Sequence, residues 1–181
     1  MGVTLSALGL GTPQIAINLS PKQFTDPDLL GTIAAILLEE QLPAAQLELE
    51  LTESLLLEAT EETRQQLIGL KALGLTLAMD DFGTGYSSLS YLKKFPIDVI
   101  KIDRSFIKDI PGNQDDVEIT SAVIAMARKL HLKVVAEGIE TPEQLKFLRR
   151  HRCDIGQGYL FDKPIPGNIL TEALRRYPQW C

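Results

Sequence analysis

Asp80-Asp81-Phe82-Gly83-Thr84-Gly85-Tyr86 places two adjacent carboxylates at the end of a short apolar run and follows them with a glycine-rich turn. Two acids side by side repel each other by roughly 4 kcal/mol at about 4 Å and an effective dielectric of about 20, so a buried pair calls for a positive partner between them. A divalent cation is one such partner. An isolated Asp-Asp on a surface turn or at a helix N-cap needs no such help, and the rest of the chain has to decide between the two. The preceding run, Leu75-Thr76-Leu77-Ala78-Met79, is bounded by Gly74 and reads as a buried strand delivering both acids to one end of a sheet.

Other segments of the same kind end in polar residues. Strands are predicted at Gln14 to Leu19, Leu47 to Leu51, Leu75 to Met79, Val99 to Ile102, Lys133 to Ala136 and Ile155 to Phe161. Helices alternate with them. Pro27 opens one carrying Leu29, Leu30, Ile33, Leu37 and Leu38; another runs from about Thr60 to Leu73 and stops at Gly74; a short one lies near Leu89 to Phe95. Further helices are predicted from Val117 to Leu130, from Thr141-Pro142-Glu143 to Arg150, and from Asn168 to Tyr177.

Strict alternation implies a parallel sheet flanked by helices, either open and doubly wound or closed as a barrel. Period two in Leu47-Glu48-Leu49-Glu50-Leu51-Thr52 puts the leucines on one face and Glu48, Glu50 and Thr52 on the other. The same phase groups Asn18 with Ala16, Asp80 with Thr76 and Ala78, Lys101 with Val99, and Glu137 with Val135. Polar groups thus recur at the carboxyl ends of successive strands, which is where a barrel collects its active site, whereas an open sheet binds at its switch point. The set Asn18, Glu50, Asp80, Asp81, Lys101 and Glu137, with Gln157 on the sixth strand, contains amide and carboxylate oxygens but neither imidazole nor thiolate. That chemistry suits magnesium or manganese, and two such ions about 3.5 to 4 Å apart can activate water against a phosphodiester.

Composition narrows the partners. The 181 residues are 45% hydrophobic, enough for one domain burying roughly 70% of its unfolded surface. Eighteen basic against 24 acidic side chains leave a net charge of -6, and no Lys/Arg run exceeds two residues, which argues against nucleic acid or an anionic membrane surface as a partner. Cys153 and Cys181 form no disulfide framework or ligand spacing, which fits a reducing cytoplasm. No apolar run has the length of a membrane span.

Ile17-Asn18-Leu19-Ser20, Glu50-Leu51-Thr52-Glu53, Asp80 through Leu89, Ile100-Lys101-Ile102-Asp103, Ala136-Glu137-Gly138-Ile139-Glu140-Thr141 and Gln157-Gly158-Tyr159-Leu160-Phe161 together resemble the EAL domain, the cyclic di-GMP phosphodiesterase family. From Asn18 through Glu50, Asp80, Lys101 and Glu137 to Gln157 the separations are 32, 30, 21, 36 and 20 residues, in the family's order and over nearly the whole chain from Gln14. The resemblance implies a TIM-type (β/α) barrel. It implies that Asn18, Glu50 and Asp80 are ligands of a first metal, and that Asp80, Asp81 and Glu137 surround a second, with magnesium or manganese as the ions. Lys101 matches the lysine that positions or deprotonates the attacking water, a role for which Glu137 is a second candidate. Glu53 matches an acid that supports catalysis by pinning the loop after Asp81, and Gln157 a residue near the bound water or substrate. The reaction implied is hydrolysis of cyclic di-GMP to linear pGpG in a cytoplasmic signalling protein that forms a homodimer near Gly83 to Ser88 and is fused to, or regulated by, sensory or GGDEF-type domains.

One departure qualifies this. The Glu-Ala-Leu segment that names the family, a glutamate ligand of the first metal among its residues, belongs before the position of Asn18 and is absent. The expectation is therefore a residual segment at residues 1–13 and a barrel domain at 14–181 truncated at its N-terminus, with about six of eight strand-helix units. Exposed strand edges and weak or no turnover by the chain alone follow from it. Two alternatives to the enzyme are a receptor that binds cyclic di-GMP without cutting it and a silent protein-interaction module.

Overall fold

The computed structural model of the chain describes residues 13–57, 60–83, 92, 94–167, 169, 170 and 172. Among them, six parallel strands lie side by side in the order of the sequence: β1 (Ile15–Asn18), β2 (Leu47–Thr52), β3 (Thr76–Phe82), β4 (Val99–Ile102), β5 (Lys133–Ala136) and β6 (Ile155–Gly156). The sheet curls into a half-barrel with helices on its outer side. These are α1 (Pro21–Phe24), α2 (Leu29–Glu39), α3 (Glu53–Leu57), α4 (Glu61–Ala72), α5 (Arg104–Ile107), α6 (Gln114–Lys129) and α7 (Pro142–His151). None is long and apolar enough to cross a membrane.

Strand alternation divides the interior as the period-two pattern predicts. Leu47, Leu49 and Leu51 of β2, Leu77 and Met79 of β3, Ile100 and Ile102 of β4, and Val134 and Ala136 of β5 all join one core with Leu67 and Leu70 of α4, Ile124 and Ala127 of α6, and Leu148 of α7. The opposite phase holds only a small apolar group, Ala78, Val99 and Val135, and above it the sheet face turns polar. Apolar residues therefore pay for the fold on the helix side, and the inner face is left for chemistry.

Acids also fix the register at the amino ends of the strands. The Asp98 carboxylate, just before β4, accepts from the Leu77 backbone N–H at 2.9 Å and from Lys71 Nζ at 2.7 Å. Asp154, just before β6, accepts from the Val134 N–H at 2.9 Å. In each case the residue preceding one strand satisfies a backbone donor of the strand beside it.

Several boundaries differ from the sequence expectation. β3 extends through Asp80 and Asp81 to Phe82, with a register shift against β4 between Met79 and Phe82, so the acid pair is part of the strand and its bulge. β6 is only two residues long, because Phe161 N–H bonds back to Gly158 O at 3.1 Å and turns the chain. α6 starts at Gln114 rather than Val117, since Asn113 caps the Asp115 N–H. α1, α3 and α5 have no counterpart in the sequence expectation; α1 forms around a capping box in which Ser20 and Gln23 exchange hydrogen bonds. Most of the helix near Leu89 to Phe95 and of that from Asn168 to Tyr177 lies outside the described residues. β1 and β6 each have a single strand neighbour among the described residues, and Ile17 and Ile155 on them are 48% and 44% exposed, in keeping with the expected open edges.

Leu51, fully buried in the centre of β2, tests this division of the sheet. Leu51→Ala is expected to destabilise the domain by about 2–5 kcal/mol in urea unfolding followed by circular dichroism, as deletion of a packed core leucine does.

Candidate functional site

At the carboxyl ends of the strands a single ammonium gathers three carboxylates. Lys101 Nζ, from β4, donates to Glu50 Oε1 of β2 at 2.7 Å, to Asp80 Oδ1 of β3 at 3.1 Å, and to Glu137 Oε1, the residue after β5, at 2.8 Å. The Lys101 side chain is 6% exposed and that of Glu50 9%. The parallel register brings the inward phase of neighbouring strands together: Glu50 pairs with Ala78, Ala78 with Val99, and Lys101, two residues further along β4, with Val135, so Lys101 reaches Glu50 and Glu137 from between them.

The electrostatics follow from three acids sharing one base. Burial alone would lower the Lys101 pKa, but hydrogen bonds to Glu137 and Glu50 outweigh it and hold the ammonium above its ordinary value. Burial raises the Glu137 carboxyl despite the Lys101 contact, and Asp80 and Glu50 push the same way. The cluster is thus a fixed cation inside a surplus of negative charge.

Asp81 sits beside it in the β3 bulge with φ 55°, a left-handed conformation that turns it away from the strand's alternation. Its N–H donates to Asp80 Oδ1 at 3.0 Å, and burial, then Asp80 and Asp103, raise its carboxyl. Glu53, 5% exposed at the start of α3, accepts from the Gly83 N–H at 3.3 Å. That bond ties the chain just after Asp81 to the end of β2. Gly83 has φ 97°, and a side chain there would press on the Phe106 ring at 3.0 Å.

The remaining sequence candidates lie at the rim. Asn18 ends β1 opposite Glu50 in the register and is exposed. Gln157, also exposed, follows β6; its backbone N–H bonds to Ala136 O at 2.9 Å, and its carbonyl accepts from Ile139 N–H at 3.0 Å, which places it against the loop carrying Glu137. A further acid shares the face of Glu50. Glu48 lies one inward position below Glu50, 8% exposed, its pKa raised by burial and by Glu50. Its place on the Glu50 face was legible, but that the wet-looking face of β2 is buried could not be read from one strand.

The donors present fit a hard cation. Glu50, Asp80, Asp81, Glu137 and Asn18 offer oxygen alone, and their charge exceeds what Lys101 neutralises. As they stand, no three His, Cys, Asp or Glu side chains among the described residues are disposed around one ion, because the carboxylates close on the Lys101 ammonium instead.

Carboxylates and a lysine converge at the strand ends of a half-barrel, and comparison with known proteins identifies the family. Residues 4–164 match the EAL domain family, to which this chain belongs. It is 50% identical over 164 residues to the cyclic di-GMP phosphodiesterase NbdA of Pseudomonas aeruginosa, covering 91% of this chain and 21% of NbdA. The EAL domain of Mycobacterium smegmatis DcpA superposes with a TM-score of 0.90 at 41% identity, over 97% of this chain and 79% of that one. The MucR phosphodiesterase in complex with cyclic di-GMP superposes with a TM-score of 0.85 at 41% identity, over 92% and 68%. MucR of P. aeruginosa is a bifunctional diguanylate cyclase and cyclic di-GMP phosphodiesterase; this chain spans about a quarter of its length, 23%.

Glu48 gives a test of the electrostatics. A carboxyl whose pKa is raised by folding favours the folded state below its unfolded value of about 4.5 and loses that contribution as the pH rises through the folded value. Glu48→Gln is therefore expected to raise the melting temperature at pH 7 to 8, with the gain vanishing below about pH 4.5; thermal unfolding across that range measures it.

Proposed function

We propose that this chain is the hydrolase part of a cyclic di-GMP phosphodiesterase, cleaving one of the two phosphodiester bonds to give linear pGpG. The observation that carries this reading is the Lys101 cluster, in which residues from β2, β3, β4 and the end of β5 meet at one buried point. It has the position and the donor set that hydrolysis of an anionic diester requires, in a chain whose relatives NbdA and MucR have that activity.

Asn18, Glu50 and Asp80 would hold one magnesium or manganese ion, and Asp80, Asp81 and Glu137 a second. Bound there, the ions would supply polarisation of the phosphoryl oxygens and a water of lowered pKa. Everything else falls to the chain's own groups. Lys101 keeps its charge, so its ammonium is a donor that orients the attacking water and meets charge developing on phosphate. Glu137, at 2.8 Å from Lys101 and with a raised pKa, is placed to accept the proton that the water gives up. The water oxygen forms the new bond to phosphorus, the P–O bond to the ribose 3′ oxygen breaks, and the 3′ hydroxyl leaves with a proton. Glu53 keeps Gly83, and with it Asp81, in place; Gln157 lies at the rim where the ligand would enter. In the cell we place this activity in cytoplasmic second-messenger signalling, in a homodimer, under sensory or GGDEF-type domains.

In the intact protein with magnesium or manganese, Asp80→Ala and Glu137→Ala are each expected to lower the rate of pGpG formation, followed by chromatography, by about 10²- to 10³-fold. Full activity in either variant removes the cluster from the chemistry. Tight cyclic di-GMP binding with no cleavage by the unsubstituted protein would make it a receptor instead.

A further inference from the structure

Gln144, in the first turn of α7, is 3% exposed and uses every hydrogen-bonding position of its side-chain amide. Its Nε2 donates to the carbonyls of Ile107 at 3.1 Å and Lys108 at 3.0 Å, and its Oε1 accepts from the N–H groups of Glu140 at 2.7 Å and Thr141 at 2.9 Å. The two carbonyls belong to the end of α5, which follows Lys101 and β4; the two N–H groups belong to the segment that follows Glu137 and leads into α7. Both pairs are backbone groups at helix ends, where helical partners run out, although Ile107 O also accepts from the Ile110 N–H at 3.3 Å. A buried amide with two donors and two acceptor lone pairs matches them completely.

The same two segments are joined at further points. Glu137 N–H donates to Ile102 O at 3.1 Å, and Arg104 Nη2 pairs with Glu140 Oε1 at 2.7 Å. Gly138, with φ 70°, lies so close to the Arg104 side chain that no β-carbon fits between them. Of these ties, the Arg104–Glu140 pair is exposed and weak, whereas the Gln144 amide is buried and makes four bonds.

We infer that Gln144 is a positioning residue, a four-bond clamp that sets the spacing of Lys101 and Glu137 by locking the segment after one to the segment after the other. The inference rests on the reading of those two residues as the reacting pair. Misplacing a reacting group by about 1 Å can cost about 100-fold in rate, so a clamp on their backbones acts on turnover more than on substrate binding.

The test uses the intact protein and three variants. Gln144→Met keeps the length and burial but removes all four bonds; Gln144→Glu keeps the accepted bonds and loses the donated ones, and serves should the first not fold. Leu67→Ala, at a fully buried position in α4, reports what lost packing alone does. For the Gln144 variants, kcat on cyclic di-GMP is expected to fall about 10- to 100-fold with KM within about 2-fold, the pattern of lost transition-state placement. In Gln144→Met, which loses the bonds from the Glu140 and Thr141 N–H groups, amide exchange read by mass spectrometry should speed up across residues 137–141 and stay unchanged across 76–82. Leu67→Ala should leave kcat within about 2-fold below its melting temperature. Unchanged exchange at 137–141, or faster exchange with unchanged kcat, overturns the inference. Absence of cleavage by the unsubstituted protein fails the hydrolase reading, and the exchange measurement then decides by itself whether the clamp exists.

Discussion

The upper half of this fold depends on one ammonium. Glu50, Asp80 and Glu137 come from three different strand ends, and each lies within 3.1 Å of Lys101 Nζ. At about 3 Å each lysine-carboxylate contact attracts more strongly than each carboxylate pair repels at the longer distances between them, since the energy falls with separation. That difference lets acids crowd a nearly dry site. It does so with a remainder of negative charge, which adds to the larger effect of burial in raising the carboxyls of Glu137, Asp81 and Glu48. A structure built for stability alone would have matched charges or used none, because removing buried ion pairs in favour of apolar packing is often neutral or stabilising. The surplus is better understood as a site that expects further positive charge.

Much of this was legible in the chain itself. Alternation in β2 put Leu47, Leu49 and Leu51 opposite Glu48 and Glu50, and the structure divides them the same way. The strand order, the outer helices and the meeting of Glu50, Asp80, Lys101 and Glu137 followed from period two and from a sequential parallel arrangement. Most of what escaped was set by partners distant in sequence. β3 runs on into its acid pair because its bulge is made against β4; β6, by contrast, is cut short by a local turn closed between Gly158 and Phe161. Neither event leaves a periodic trace in its own segment. Gln144 was invisible for the same reason: in the sequence it is the third residue of a capping box after Thr141, and only the fold brings Ile107 and Lys108 to its other side.

The two ends of the sheet use acids in opposite ways, and the contrast separates scaffold from site. At the amino ends, Asp98 and Asp154 each accept a backbone N–H from the neighbouring strand, and Asp98 also holds Lys71. These acids have stoichiometric partners and fix register. At the carboxyl ends, several acids share one lysine. Backbone donors absorb little of the excess there: the Asp81 N–H bonds to Asp80 Oδ1. The loops that follow are held by other means: Glu53 on Gly83, Arg104 against Gly138, and the Gln144 amide across two helix ends. Tethering through groups outside the Lys101 cluster leaves the cluster's own charged side chains available, the condition that the proposed binding of an anionic ligand through cations requires.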